Sequence, residues 1–478
     1  MVKMASRCFL LLVLLSLSLF CALTSAEGNS SIPLVNPDEL RYPQIQFAPP
    51  QAQRVILDNG IILYIFEDHE LPLLNISAVI RTGSNFDTVG KEGLAELTGT
   101  LLRTGGTQSI SADAIDEALD FFAGSLSVSM SRDSGSISLS VLKDNLDEGL
   151  NIFSQIIINP AFEESKLTLA KNLKIEDLRR TADDPQRLAF RELKRFLYRD
   201  NPSGRLPSIT SINTIQRADL IHFYKQFFYP KNIMIAVTGD ISKEQAIAKI
   251  QQYFGSWDES MKHYSIPPTP AKQKGHIYFL SKEIPQSIII SAQLAPGKKN
   301  PDAYPFEVLD FILGSGGFKS RIFQQIRNNL GLAYSTGSFY TKLSEYGVFG
   351  AYAITKSETT AKVLSNIQAI IMDTKTNVVD KKELEGAIKS INNNFIFSFL
   401  SAEQIAHQQL MMEYDNLPED YLENYRDRIA KVHTEDLMRV ANKYLSADGA
   451  VILVVGNENA YDQLVSSFRA VSRIKDSL

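Results

Sequence analysis

Apolar positions along the chain switch between two periods. Val55-Ile56-Leu57 and Ile61-Ile62-Leu63-Tyr64 flank Asp58-Asn59-Gly60, the turn chemistry of a tight hairpin, and Leu73 to Arg81 continues as a further strand. Helical spacing follows from Gly93 to Leu102 and from Ala112 to Ala123. Leu126 to Met130 and Ser136 to Val141 then alternate apolar with small polar residues, as half-buried strands do. Asp144 to Ile158 is again helical and stops at Asn159-Pro160. Glu163 to about Thr181 reads as a helix ended by Asp183-Asp184-Pro185, because the residue before proline is pushed out of helix. Sheets with interleaved helices predict an α+β fold.

A repeat sets the domain count. Ala218-Asp219-Leu220, a helix and the apolar run Ile233-Met234-Ile235-Ala236-Val237 lead to Gly239-Asp240; Glu435-Asp436-Leu437, a helix and Ala450-Val451-Ile452-Leu453-Val454-Val455 lead to Gly456-Asn457. Asp219 and Asp436 stand 217 positions apart, as do Gly239 and Gly456. A constant offset across a helix and a strand argues for two similar domains. For 478 residues, length alone would suggest about three. The Pro-rich stretch near Ile266-Pro267-Pro268-Thr269-Pro270 is the natural linker. The expected division is a first domain at 53–262, a linker at 263–274 and a second domain at 275–478.

The N-terminus predicts export. Lys3 and Arg7 precede an apolar run from Phe9 to Leu23, and Thr24-Ser25-Ala26 supplies small residues for cleavage, giving a signal peptide at 1–26. The run is shorter than the roughly 20 apolar residues of a membrane anchor. Lipid attachment at Cys21 is disfavoured by the bulky Phe20 before it. Residues 27–52, rich in Pro, Asn and Ser, read as an extended arm or tether. Cys8 and Cys21 are the only cysteines, so the chain after Ala26 has no disulfide, thiolate nucleophile or sulfur ligand. Loss of Lys3 and Arg7 takes the net charge from −5 to −7, which speaks against a nucleic-acid partner.

Candidate chemistry begins at Gly83-Ser84-Asn85-Phe86-Asp87, Gly93-Leu94-Ala95 and Thr104-Gly105-Gly106-Thr107. These segments resemble the frame around the inverted zinc motif of the pitrilysin/insulinase family of metallopeptidases, which reads G-S-x-x-D, then G-L-A-H-x-x-E-H. In that motif two histidines four apart share a helix face and ligate zinc, and the glutamate between them activates the metal-bound water. Here Glu96 stands at the first histidine, Gly99 at the base and Thr100 at the second histidine; only Glu176, matching the family's third ligand 76 residues on, is in place. One carboxylate without imidazole is no catalytic zinc site, so this chain is expected to bind no metal and to lack peptidase activity of its own. A hard cation held by Glu96 and Glu176 with Glu92, four residues before Glu96, is the less favoured alternative to ordinary surface charge.

Further on, Gly314-Ser315-Gly316-Gly317-Phe318-Lys319-Ser320-Arg321 runs into Ile326-Arg327 and Gly331-Leu332-Ala333-Tyr334. This is similar to the family's C-terminal signature, in which a helix carries an arginine and the next strand a tyrosine. The resemblance implies that Arg327 and Tyr334 grip a substrate carbonyl, a role suited to a fixed cation and a phenolic donor. The plainer reading is a surface ion pair and a core tyrosine. Lys319-Ser320 is no phosphate loop, since Phe318 stands where glycine is required; the glycines read as a tight turn that lets the next helix pack closely. The six histidines show no metal-ligand spacing, and Phe223, Tyr224, Phe227, Phe228 and Tyr229 read as core.

The resemblance covers about residues 53 to 478. It implies half of a clam-shell that encloses an unfolded peptide, and work divided between two chains as in mitochondrial processing peptidase. The expectation is an exported, periplasmic, substrate-binding subunit of a heterodimer whose homologous partner carries the zinc. The alternative is a non-enzymatic structural or assembly protein of the cell envelope.

Overall fold

The computed structural model describes residues 45–257, 268–446, 449–461 and 471–477; the signal segment at 1–26 and the first part of the Pro-rich linker lie outside them. Residues Ala48–Leu478 form one compact unit. Its first half carries β1 (Gln53–Ile56), β2 (Ile62–Glu67), β3 (Leu73–Ile80), β4 (Ser125–Met130), β5 (Gly135–Leu142) and β6 (Ile233–Gly239). Its second half carries β7 (His276–Ser281), β8 (Gln286–Pro296), β9 (Ala333–Lys342), β10 (Tyr346–Lys356), β11 (Val451–Gly456) and β12 (Val471–Ile474).

The two sheets are ordered β1-β2-β6-β3-β5-β4 and β12-β7-β11-β8-β10-β9, so five strands correspond one to one. β2–β6 and β7–β11 are the matching parallel pairs. The sheets differ at one edge, where β1 lies antiparallel to β2 but β12 runs parallel to β7. The expected hairpin forms with Ile56 opposite Ile62, and Gly60 takes the left-handed conformation, φ 90°, that the turn needs.

The duplication also explains how the halves join. Helix Pro185–Leu197 and helix Ala402–Tyr414 are themselves 217 positions apart, and each packs on the other half's sheet. Leu188, Leu193 and Leu197 bury against Leu280, Ile290 and Leu453 of the second sheet. Ala406, Leu410 and Tyr414 bury against Tyr64, Val79 and Met234 of the first. Each sheet's other face is covered by its own helices, through Leu101, Phe153 and Leu220 in one half and Leu364, Ile391 and Leu437 in the other. A strand covered on both faces is buried at every position, which is why β6 and β11 are unbroken apolar runs where other strands alternate. The aromatic group Phe223 to Tyr229 is buried as expected.

Local signals account for most boundaries. Asp184 does end one helix, Glu164–Asp183, but its side chain accepts from the Gln186 and Arg187 N–H groups and so starts the next at Pro185. What reads in sequence as a stop is a corner between two helices, with proline at the first position where its missing N–H costs nothing. Asp219 and Asp436 each accept the N–H of the residue three before, closing matched helix starts. The last residues of the arm run along the second half, with Gln409 bonded to both Ala52 N–H and the Pro50 carbonyl. No described helix is long and apolar enough to cross a membrane.

Candidate functional site

The Gly83–Asp87 segment folds back to cap the helix that would carry a zinc motif. Asp87 accepts the N–H groups of Gly93 (2.7 Å) and Ala95 (2.8 Å), and helix Leu94–Thr104 starts there. Burial pushes the Asp87 carboxyl up to about 7 against the pull of those donors. Arg205 clamps the same turn through the Asn85 and Asp87 carbonyls, at 2.9 and 2.8 Å. The frame is therefore a structural cap as well as a mark of ancestry.

The four positions of the degenerate motif are separately engaged. Glu96 accepts from Lys174 Nζ at 2.7 Å. Thr100 spends its hydroxyl on the Glu96 carbonyl one turn back, at 3.0 Å. Gly99 is buried beneath β4, and a Cβ there would stand 2.6 Å from Met130 Cγ, so Met130 fills the space a base at this position would need. Glu176 is half exposed and pairs with Arg179 on its own helix. Glu92 does not share a helix face with Glu96: it lies in the turn before Gly93, whose left-handed φ of 102° opens the helix, and it accepts the Gly90 N–H. These residues do not fit a zinc ion, having no imidazole and carboxylates committed to separate cations. Among the described residues no three His, Cys, Asp or Glu side chains gather as a metal cluster.

Arg327 and Tyr334 do come together. Arg327 lies on the π-helical segment Phe323–Asn329 and Tyr334 on the edge strand β9, with the guanidinium 5.5 Å from the Tyr334 ring centre and 4.9 Å from that of Phe323. Tyr334 is 77% exposed, so it is not a core tyrosine, and Arg327 is exposed without an acidic partner among the described residues. Stacking holds both side chains while their polar ends face outward. The glycine run makes a tight turn, with Gly317 at a left-handed φ of 68° and the Ser320 N–H bonded to the Gly317 carbonyl. Gly314 in addition allows close approach to β9, since a Cβ there would lie 2.2 Å from Ser338 N.

Between the halves is a cavity of about 1030 Å³. Glu96 of the degenerate motif, with Met130 and Lys174, forms one side, Phe339, Thr341 and Val348 of the second sheet another, and Arg132, Arg191 and Lys194 project from the β4–β5 turn and helix Pro185–Leu197. Arg132 donates to the Tyr198 hydroxyl at 2.9 Å and stacks over Tyr198 and Tyr346.

Comparison with known proteins then decides the ancestry. Residues 67–207 match the insulinase domain of peptidase family M16 and residues 214–391 match the peptidase M16 inactive domain. The chain belongs to the M16 family. An uncharacterized zinc protease of Rickettsia bellii is 24% identical over 414 residues, covering 84% of this chain and 97% of the relative. YmxG of Helicobacter pylori, a non-peptidase homolog, is 24% identical over 405 residues, covering 82% and 91%. The crystal structure of a peptidase M16 inactive domain from Pseudomonas fluorescens superposes with a TM-score of 0.78 at 26% identity, over 85% of this chain and 98% of that one. With its motif positions occupied as described, the chain is an M16 protein of the inactive type.

Met130, Lys174 and the cationic wall carry no motif in the sequence. Arg191 and Lys194 one turn apart, on a helix whose Leu188, Leu193 and Leu197 are buried, carry a weak signal of that wall.

Proposed function

We propose that this protein is the metal-free, substrate-gripping subunit of a heterodimeric M16 peptidase of the periplasm, reached through cleavage after Ala26, and that a homologous partner supplies the zinc. The observation that carries this reading is the Arg327/Tyr334 pair, stacked together and exposed with free donors while every degenerate motif position is otherwise engaged. A guanidinium and a phenol held side by side can donate to a peptide carbonyl whose oxygen gains charge under attack. Arg327 gives a fixed positive charge, Tyr334 gives a directional O–H, and zinc and base act from the other chain. The 53–262 and 275–478 domains form this subunit's half of the peptide-enclosing shell.

The test is to purify the protein from its native host, identify what accompanies it, and assay peptide cleavage by each chain alone and mixed. Cleavage only in the mixture, lost when Arg327 and Tyr334 are both changed to Ala, is the expected result. Zinc-dependent cleavage by this chain alone, or a mixture indifferent to the double substitution, would overturn it.

A further inference from the structure

The cavity between the halves has an unbalanced set of charges. Its acids are engaged: Glu96 and Asp177 pair with Lys174, Asp177 also with Arg187, and Asp184 caps a helix. Its cations outnumber its acids: Arg132, Lys174, Arg187, Arg191, Lys194 and Arg205 face Glu96, Asp177 and Asp184. Lys194 has no acidic partner among the described residues, and its neighbours Arg132 and Arg191 are both positive. Arg132 hydrogen-bonds only to a tyrosine hydroxyl and Arg205 only to backbone carbonyls, with Asp133 and the buried Asp87 acting on them electrostatically without an ion pair. Arg191 is better matched: it donates to the Pro207 and Ser477 carbonyls, lies 4.0 Å from Glu192, which is paired with Arg195 and accepts from Ser477, and also feels Asp476 and Asp177. The Nε groups of Arg132, Arg191 and Arg205 are buried without a hydrogen-bond partner. Gathering like charges at a partly enclosed surface is unfavourable unless something negative compensates them.

The surroundings point to the kind of anion. Phe190, Phe339 and Val348 place apolar surface beside the charges. Arg132 is held by stacking on Tyr198 and Tyr346, and a planar guanidinium suits a carboxylate. A volume of about 1030 Å³ admits several residues of an extended chain. We propose that the cavity binds acidic side chains of a peptide, with Lys194 and Arg132 as the carboxylate-binding groups. This deepens the reading of the protein as a peptide-gripping subunit by assigning it an acidic substrate class, and it rests on that reading.

The test uses binding to the purified protein alone, so that it stands apart from cleavage in the mixture. A fluorescein-labelled peptide with paired glutamates and the same peptide with glutamines are titrated at low salt and followed by anisotropy. The glutamate peptide is expected to bind at least about fivefold tighter, a preference that Lys194→Gln abolishes and Lys194→Arg retains. Lys194 is an exposed side chain, so neither variant threatens the fold. Equal affinity for both peptides, or a glutamate-peptide affinity untouched by Lys194→Gln, overturns the proposal. So does complete displacement by millimolar inorganic phosphate, which would assign the site to a free anion. Failure of cleavage in the mixture with the glutamate preference intact would instead count against the subunit reading.

Discussion

Lys174 donates to Glu96 at 2.7 Å, and so a residue outside the degenerate motif neutralises the carboxylate standing at the first zinc-ligand position. The same lysine reaches Asp177 at 3.4 Å. This network ties helix Leu94–Thr104 to helix Glu164–Asp183 by charge where a zinc site would have tied them by metal. The motif has therefore been rebuilt as structure, and restoring its letters meets packing as well as chemistry.

Gly99 shows this most directly. A Cβ there lies 2.6 Å from Met130 Cγ and 3.4 Å from Val128 Cγ1, so Gly99→Ala overpacks the junction with β4 and should cost about 1–3 kcal/mol. Met130→Ala makes room, and the double variant should lose less than the sum of the two single losses. A double-mutant cycle by urea denaturation measures the coupling; strict additivity would show that Met130 does not occupy the space.

Arg327 and Tyr334 are exposed, so changing both to Ala should alter stability by no more than about 1 kcal/mol. Thermal unfolding of the double variant checks this. A large loss of stability would mean that the pair holds the edge of β9 in place, and a loss of activity on mixing would then say nothing about substrate.

Much of this was legible in the sequence, and what escaped did so for physical reasons. Strand and helix periods, the hairpin at Gly60 and the repeat are local or self-comparing signals, and they placed most strands and helices of the first half but only the repeated helix and strand of the second. The packing of helix Pro185–Leu197 on the opposite sheet is a long-range fact with no local mark; the one trace of it was the lack of alternation in β6 and β11. Glu96, Gly99 and Thr100 could be lined up with a motif because their spacing is local to one helix, whereas Glu176 lies on another. Lys174 and Met130 were invisible because they enter from other elements. Arg327 and Tyr334 came from a motif, but their exposure and stacking depend on a π-helical turn that spacing does not announce.

The exchanged helices predict that the halves unfold together. Trp257, the one tryptophan, is buried in the first half and reports on it. Leu410 is fully buried against the first sheet although it belongs to the second half. Leu410→Ala should cost about 2–5 kcal/mol and shift the Trp257 fluorescence transition together with the far-ultraviolet transition of the whole chain. A fluorescence midpoint left unmoved by this substitution would mean that the halves unfold independently.

Asp310 supplies a pH test of the second core. It is 4% exposed, accepts from the Ser338 hydroxyl at 2.6 Å, and is raised to about 6, chiefly by burial, with the Ser338 and Ser315 hydroxyls pulling the other way and Glu307 adding to the rise. Because its folded value exceeds the ordinary carboxylate range near 4, the folded state holds the proton more tightly than the unfolded chain does. The contribution is fully present below about pH 4 and is lost as pH rises through 6. Wild-type stability measured against Asp310→Asn, which cannot ionise, should therefore fall by roughly 1–3 kcal/mol between pH 4 and pH 7.5. Urea midpoints for both proteins across that range measure it, and parallel curves would show that Asp310 keeps an ordinary carboxylate titration despite its burial.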